Sequence, residues 1–545
     1  MPPFSSLAKR SLISIALTAS CLSADNTLSI KSAVASSVTD SETPSTELAD
    51  TETADANNIE SVIEAANQLR EENNPEAALA LYDKALSQSK STAGKSTASE
   101  STAQTATLLY HRGRTLREMQ RTLEALAAYD QAITLIANSH HPKLAFLWAH
   151  KAFALEALGR LEEALAATQQ LVLRSPHEAR AWRTRGNILH GLSRYEEAIA
   201  DYDQALSLDL DWSGLWNDKG AALNALRQHE AALEAVNQGL KLEPEDLRLL
   251  YNKGWTLQSL NRYDEAIDVY EQAIAISPNY TAALNNKGWV LYKMGRYEEA
   301  ITLYNLVVAI ADEDHNRASL ALENKAWALE RLKRYEEALA ALEQAKKLTP
   351  SVSSIWYGRG DVLSRLGRVE EAVASFEQAI TLRPERPAAW DRKGNSLAMI
   401  GRYEEALTSL EKAIEIDSEY VYAWVNKGWV LQLMNRDAEA IAAYDRALEI
   451  RPGTGSYWGR KGNALEAVGR RGDAIAAYTK ALEINPEDTL SRQRLRNLQS
   501  IPTPPPIQTG TRLCSPACRS ASSHVGHTQT IDIHTQDIHV DTPSR

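Results

Sequence analysis

Cysteine is almost missing from this 545-residue chain, and its three copies, Cys21, Cys514 and Cys518, all lie near the ends. Residues 59–488, which contain every repeat described below, therefore have no disulfide and no thiol chemistry. Phenylalanine is also scarce, with 4 copies against 12 tryptophans and 20 tyrosines, which indicates that particular aromatic residues recur at fixed positions. The stability of the folded region must come from the packing of its apolar side chains.

The chain also lacks an excess of positive charge. Its 59 Lys and Arg residues against 71 Asp and Glu residues give a net charge of −12. Broad binding to nucleic acid requires a basic face, so no nucleic-acid partner is predicted. The sequence contains no phosphate-binding loop, nucleophile elbow, HExxH zinc motif or Gly-rich nucleotide fingerprint. We therefore predict neither an enzyme active site nor a cofactor.

No apolar run at the N-terminus is long enough to span a bilayer. Residues Ser11 to Leu22 form a short apolar run behind the positive residues Lys9 and Arg10, which is typical of an export signal over residues 1–24. We predict an exported, periplasmic or otherwise extracytoplasmic protein; the alternatives are lipidation of Cys21 and a disordered leader on a cytoplasmic protein. Membrane attachment is expected only if this segment is uncleaved or lipidated at Cys21.

The two flanking segments have compositions that do not support a core. Residues 25–58 are rich in Ser, Thr, Asp and Glu and are predicted to be a solvated linker. Residues 500–545 are rich in Pro and Thr and are predicted to be a disordered tail. Cys514 and Cys518 with His524 and His527 have no standard zinc spacing, so no metal site is predicted there.

The dominant feature of the sequence is an internal repeat of 34 residues. From Ala152 onward a small residue recurs at this interval, except for one step of 38. An alanine follows each of these small residues by twelve positions, as Ala300 follows Gly288. The full series of small residues is Ala66, Gly113, Ala152, Gly186, Gly220, Gly254, Gly288, Ala326, Gly360, Gly394, Gly428 and Gly462.

Each repeat carries two stretches with helical periodicity. In one of them, Asn286 to Met294 and Glu298 to Ile310 are split by a short turn beginning at Gly295. Two antiparallel helices joined so tightly approach closely only where small residues face each other, so we expect Gly288 and Ala300 to meet at the crossing. Prolines close several units because proline cannot continue a helix. They are Pro244, Pro278, Pro350, Pro384, Pro452 and Pro486.

These residues resemble the tetratricopeptide repeat. The unit from Leu247 has the family's pattern in Leu250, Gly254, Leu257, Ala266, Tyr270, Ala273 and Pro278. The resemblance covers residues 59–488, with units starting at 59, 106, 145, 179, 213, 247, 281, 319, 353, 387, 421 and 455. It implies an all-α fold, in which twelve helix-turn-helix repeats form one right-handed superhelical solenoid. Residues 489–499, with apolar Leu490, Leu495 and Leu498, are predicted to form a C-terminal capping helix.

The tryptophans fall at two repeat positions. Seven occupy the fourth position, where the family buries a bulky side chain, and are expected in the core: Trp148, Trp182, Trp216, Trp356, Trp390, Trp424 and Trp458. Four occupy the ninth position, which in this family tends to line the concave groove: Trp255, Trp289, Trp327 and Trp429. These four either pack against a neighbouring helix or form a row of anchors for an apolar peptide, a role that tryptophan often fills.

Polar residues beside these tryptophans are candidates for the same groove. They are Tyr251, Asn252, Asn285, Asn286, Tyr292, Glu323 and Asn324, and the asparagines suit peptide-backbone capture because each amide offers a donor and an acceptor. Some relatives clamp a C-terminal carboxylate, and Asn395, Asn426 and Arg460 match three of that clamp's five places. Asp391 puts a negative charge at a fourth, so no such clamp is predicted. The recurring seventh-position lysines are expected to pair with acidic neighbours.

The resemblance implies a non-catalytic scaffold or adaptor whose partners are other proteins or peptides. The alternative is a targeting or regulatory subunit for an enzyme supplied in trans, for example of the glycosyltransferase type. Fold alone does not choose between these functions.

Overall fold

The computed structural model describes residues 59–91, 98–137, 143–311 and 313–500. All regular structure in these ranges is helical, and the chain divides into two compact units between Arg262 and Tyr263. The predicted export signal, Cys21, the linker and the C-terminal tail lie outside the described residues. Among the described helices, none is both long and apolar enough to cross a bilayer.

The first unit is built from antiparallel helix pairs in which each helix packs against the next. The first helix of each pair also contacts the first helix of the following pair, so that α1, α3, α5, α7, α9 and α11 form one layer. The helices are α1 (Ile59–Glu71), α2 (Pro75–Ser91), α3 (Ala98–Glu118), α4 (Thr122–Ile136), α5 (Lys143–Ala157), α6 (Leu161–Arg174), α7 (Ala179–Gly191), α8 (Tyr195–Leu208), α9 (Ser213–Ala225), α10 (His229–Leu242) and α11 (Leu247–Ser259).

The second unit repeats this arrangement, with a layer that runs from α13 through every second helix to α25. Its helices are α12 (Tyr263–Ile276), α13 (Thr281–Lys293), α14 (Tyr297–Ile310), α15 (His315–Arg331), α16 (Tyr335–Leu348), α17 (Ser353–Arg365), α18 (Val369–Leu382), α19 (Pro387–Met399), α20 (Tyr403–Ile416), α21 (Val421–Leu433), α22 (Asp437–Ile450), α23 (Gly455–Ala467), α24 (Arg471–Ile484) and α25 (Thr489–Ser500). The final helix packs on α24 through Leu498, which is buried, whereas Leu490 is 55% exposed.

Three first helices are longer than the repeat pattern predicts. The helix α3 begins at Ala98, ahead of the unit start at 106, α5 begins at Lys143, ahead of 145, and α15 begins at His315, ahead of 319. In all three places residues inserted between units extend the first helix of the following pair. An extended helix satisfies its backbone groups internally, which an irregular insertion would leave to solvent.

The turn inside each pair follows from a left-handed residue. Gly295 has φ +78° and its N–H donates to the carbonyl of Tyr292 at 3.0 Å. The N–H of Arg296 then donates to the carbonyl of Leu291 at 2.9 Å, which closes the helix with the usual C-terminal motif. The next helix starts at Tyr297, so the predicted short turn is present.

In several repeats the small residue makes room for an aromatic ring of the second helix. A Cβ added to Gly288 would stand 2.7 Å from Cε1 of Tyr304, and its three nearest side-chain atoms all belong to that ring. Gly186 faces Tyr202 and Gly428 faces Tyr444 in the same way. The expectation that Gly288 meets Ala300 named the facing helix but did not include the ring of Tyr304; at the equivalent positions, the carbonyl oxygens of Ala406 and Ala232 lie 3.0 and 3.5 Å from a Cβ added to Gly394 and Gly220.

The fourth-position tryptophans are partly buried at the edge of the core rather than fully enclosed, and six of the seven pack against buried apolar clusters. Each is partly exposed, and six of them donate the indole N–H to a carbonyl six residues earlier, as Trp390 does to Pro384 at 2.9 Å. The ring therefore covers the turn that precedes its own helix. A lysine stands over several of these rings; Nζ of Lys427 lies 5.9 Å from the centroid of Trp424.

Five of the seven seventh-position lysines pair with acidic residues, as expected. Lys427 binds Glu411 with Nζ 2.8 Å from Oε1, and Lys219, Lys287, Lys393 and Lys461 make the corresponding ion pairs with Asp203, Glu271, Glu377 and Asp445. The acidic partners are largely exposed, so each pair stabilises the fold only slightly.

Candidate functional site

The four ninth-position tryptophans lie on first helices of their pairs, and all four are partly exposed. In the first unit, Trp255 on α11 makes an edge contact with His229, with ring centroids 6.1 Å apart. The indole of Trp255 is therefore not fully enclosed by the protein, and part of its surface is accessible to solvent.

Three of these tryptophans belong to the second unit. Nζ of Lys293 lies 4.8 Å from the ring centroid of Trp289 on α13. On α15, Trp327 lies beside Gly358, whose missing Cβ would stand 3.9 Å from the indole nitrogen. Trp429 on α21 packs against the apolar cluster of the last repeats. All three tryptophans have contacts within the protein and remain partly exposed.

The candidate asparagines are joined in pairs between neighbouring first helices. Nδ2 of Asn324 donates to Oδ1 of Asn285 at 3.0 Å, and Nδ2 of Asn252 donates to Oδ1 of Asn217 at 2.7 Å. In each pair a fifth-position residue contacts the sixth-position residue of the next repeat. Four other pairs have the same geometry: Tyr110 with His150, Arg183 with Asp218, Tyr357 with Arg392, and Asp391 with Asn426.

The sequence interpretation did not foresee this pairing. It treated Asn252, Asn285 and Asn324 as separate peptide ligands. In the structure, one group of each amide, either Nδ2 or Oδ1, is already bonded to an asparagine of a neighbouring repeat. Asn324 is only 6% exposed. The signal was the separation of about one repeat plus one residue, 35 in Asn217 and Asn252, which brings positions five and six together across the layer.

The remaining candidates have local partners. Asn286 lies 3.5 Å from the hydroxyl of Tyr270, which joins α13 to α12. Tyr292 packs edge-on against Tyr297 with centroids 5.4 Å apart, and burial raises the pKa of Tyr292. Tyr251 is partly exposed on α11. These contacts hold the tyrosine and asparagine side chains in fixed positions on the first helices.

A charged cluster lies further along the second unit. Asn426 donates to Oδ1 of Asp391 at 2.8 Å, and Nε of Arg392 lies 3.4 Å from Oδ1 of Asp361. Asp391 is 3% exposed. Burial raises the pKa of Asp391 to about 6, which the hydrogen bond from Asn426 and the charge of Arg392 only partly offset. Asn426, one of the three residues that match the clamp, is therefore held by a carboxylate of the protein itself.

Replacing Asp391 with asparagine should stabilise the second unit near neutral pH. The folded-state pKa of about 6 exceeds the ordinary value of 3.8, so the carboxyl binds its proton more tightly in the folded protein than in the unfolded chain. The free energy of unfolding therefore falls as the pH rises through that interval. Asp391→Asn keeps the acceptor for Asn426 and removes the ionisation. We expect a gain of about 1–2 kcal/mol at pH 7.5 and little gain at pH 4, measured by urea unfolding.

Asp268→Asn is the matched control because Asp268 is exposed on α12 of the same unit. It should leave the difference between the two pH values unchanged. Equal effects of Asp391→Asn at pH 4 and pH 7.5 would show that the buried carboxylate does not carry an ionisation penalty.

Comparison with known proteins gives the same repeat over much of the chain. Models of the tetratricopeptide repeat match residues 106–139, 179–211, 280–351, 323–389, 357–421, 392–455 and 455–488, and a TPR repeat model matches residues 256–295. No curated protein matches the chain.

Two solved structures are similar to parts of it. YrrB, described as a TPR protein with an unusual peptide-binding site, is 23% identical with a TM-score of 0.30, covering 35% of this chain and 97% of its own. MamA is 24% identical with a TM-score of 0.28, covering 30% of this chain and 95% of its own. On the repeat matches and the packed helix pairs, the chain belongs to the tetratricopeptide repeat family.

Proposed function

We propose that this protein is a non-catalytic scaffold or adaptor that binds an extended segment of a partner protein along its first helices. Trp289 and Trp327 are the main anchors in the second unit, and Trp429 is a further one. Trp255 has the corresponding role in the first unit. Tetratricopeptide repeat proteins as a class bind other proteins or peptides, which supports this general function.

The observation that carries the proposal is the arrangement of two tryptophans around one asparagine pair. Asn285 and Asn324 are hydrogen-bonded between α13 and α15, and these helices contact each other. Trp289 follows Asn285 by one helical turn, and Trp327 follows Asn324 by three residues, so each tryptophan shares a helix face with its asparagine. Both indoles are partly exposed. An apolar anchor therefore stands on each side of a polar pair.

The chemistry of this arrangement suits an extended backbone. The bond between the two amides uses Oδ1 of Asn285 and Nδ2 of Asn324. The other group of Asn285 is Nδ2, which is a donor, and the other group of Asn324 is Oδ1, which is an acceptor. A peptide unit presents one acceptor and one donor. Bulky apolar residues of the same segment would then pack on the indoles, as in interfaces where a few aromatic residues provide most of the affinity.

The test is an affinity capture with the full chain, followed by mass spectrometry. The native protein is compared with a Trp289→Ala, Trp327→Ala variant and with a Trp390→Ala control. Trp390 is also partly exposed, but its indole covers the preceding turn through Pro384. A partner that is retained by the native chain and the control, and lost with the double variant, is expected.

Two outcomes would contradict the proposal. Capture of the same proteins by all three chains would remove the tryptophans from the binding surface. Stoichiometric copurification of a catalytic chain whose activity depends on this protein would instead favour a regulatory subunit of an enzyme.

A further inference from the structure

A cluster in the first unit combines two arginines with two histidines and a buried tyrosine. We call it the His–Arg cluster, and define it by His111, Arg114 and Arg117 on α3, Tyr129 on α4 and His150 on α5. The helices α3 and α5 are neighbours in the layer of first helices. All five residues belong to the first unit, and none coincides with the tryptophan positions proposed above.

Aromatic contacts hold the cluster together. The hydroxyl of Tyr110 lies 3.1 Å from Nε2 of His150 and so bridges α3 and α5. The ring of His150 lies 5.8 Å from that of Tyr129 and 6.2 Å from that of Phe153, centroid to centroid. Phe153 is 38% exposed and occupies the ninth repeat position, like the four tryptophans. The cluster therefore opens beside an accessible apolar ring.

The two arginines have no carboxylate partner among the described residues. Cζ of Arg114 lies 5.9 Å from the ring centroid of Tyr110, and Cζ of Arg117 lies 6.0 Å from that of Phe153. The nearby acids are engaged elsewhere: Glu118 pairs with Arg70, and Asp83 pairs with Arg112. In the predicted repeats, this is the one unit with arginine at both the ninth and the twelfth positions.

These arginines replace the acceptors that the corresponding tyrosine has in other repeats. Tyr202 donates to Asn187 at 2.9 Å, Tyr478 to Asn463 at 2.6 Å, and Tyr444 to Gln432 at 2.7 Å. The equivalent positions for Tyr129 are Arg114 and Arg117, and a guanidinium has donors only. Tyr129 is 0% exposed and its hydroxyl has no hydrogen-bond partner within the described chain.

Each histidine also has one buried ring nitrogen without a hydrogen-bond partner among the described residues. It is Nδ1 in both His111 and His150. Burial, reinforced by the charges of Arg117 and Arg114, lowers the pKa of His150 to about 4, so its ring is neutral near pH 7. The fixed positive charge of the cluster thus comes from its arginines. Leaving such buried polar atoms without a hydrogen bond costs stability.

We propose that the His–Arg cluster binds a carboxylate side chain from an acidic segment of a partner protein lying across α3 and α5. This inference rests on the proposed binding of a partner segment by the first helices, and it names the charge of that segment. Arginine forms strong, charge-assisted hydrogen bonds with carboxylates, and Arg114 and Arg117 stand over the rings of Tyr110 and Phe153 rather than against an acid. Phe153 offers apolar contact for the neighbouring residues of the segment.

The test measures fluorescence anisotropy of a labelled twelve-residue peptide of alternating Glu and Gly added to the full chain. A peptide with Gln in place of Glu is the comparison. We expect the Glu peptide to bind at 50 mM NaCl and to weaken at 300 mM, because part of the attraction is screened. Arg114→Gln with Arg117→Gln should weaken it by about tenfold or more. Circular dichroism establishes that the variant remains helical.

The matched control is Arg121→Gln with Arg160→Gln, since these exposed arginines already pair with Glu124 and Glu163. It should bind the Glu peptide like the native chain. No binding of the Glu peptide, equal binding of the Gln peptide, or equal losses in both arginine variants would overturn the proposal. Displacement of the bound peptide by low millimolar sodium succinate alone would identify a small dicarboxylate as the ligand instead of a protein segment.

The outcome is separable from that of the proposed function. The Trp289→Ala, Trp327→Ala variant alters the second unit only, so it should bind the Glu peptide normally even if it loses its partner. Failure of the Glu peptide with retention of the tryptophan-dependent partner would overturn the His–Arg assignment alone.

Discussion

Gly288→Leu should lower the stability of the second unit by several kcal/mol. A Cβ at this position would stand 2.7 Å from Cε1 and 3.0 Å from Cζ of Tyr304, which is closer than real Cβ atoms approach. Tyr304 is 1% exposed and is enclosed by neighbouring helices, so its ring cannot move aside without opening the packing of α13 on α14. Overpacking of this kind typically costs about 1–3 kcal/mol, and the branched leucine side chain adds to it.

Gly472→Leu is the control, because Gly472 is also helical, on α24, and nothing lies within 4 Å of its would-be Cβ. Urea midpoints followed by circular dichroism should fall for Gly288→Leu and stay level or rise for Gly472→Leu, since leucine favours helix over glycine. Similar shifts in the two variants would show that Gly288 does not face a packed ring.

A compensating design checks the mechanism. Ala326 and Leu342 are the residues of another repeat at the positions of Gly288 and Tyr304. Gly288→Ala combined with Tyr304→Leu copies that combination and should be less destabilised than Gly288→Ala alone. Such non-additivity is expected only when two side chains share one space.

The repeat period specified the fold far better than it specified side-chain partners. The spacing of Gly288, Gly295 and Ala300 was sufficient to predict two antiparallel helices and their turn, because helix periodicity and a left-handed glycine are local properties. It did not show that Gly288 faces Tyr304, since both alanine and tyrosine lie on the inner side of the second helix. The ring, being larger, reaches the glycine first.

The repeat pattern placed the candidate tryptophans on first helices, but it did not show the contacts around them. The ninth-position tryptophans are partly exposed. The pairing of Asn285 with Asn324 depends on how two first helices stack, which is a relation between repeats rather than within one. The Tyr129 hydroxyl has no hydrogen-bond partner within the described part of the chain, and this could not be predicted from the sequence because it emerges only when equivalent tyrosines are compared in the structure.

Trp289→Ala and Trp327→Ala should each reduce affinity for the captured partner by roughly 1–3 kcal/mol while leaving the thermal midpoint nearly unchanged. Both indoles retain accessible surface, and Trp289 has Lys293 over its ring rather than a closed apolar environment. Removing a partly exposed side chain opens no sealed cavity. A tryptophan packed in a core would behave in the opposite way, losing about 3–5 kcal/mol of stability on truncation.

Calorimetric titration of the partner and thermal unfolding of the free protein measure the two quantities separately. Trp390→Ala, in which an indole of the same size is removed from a turn, should change affinity least. A large fall in the midpoint with unchanged partner affinity would assign Trp289 and Trp327 to packing. The predicted pattern is weaker binding with an unchanged thermal midpoint. It arises only if both indoles contact the partner and contribute little to the stability of the free protein.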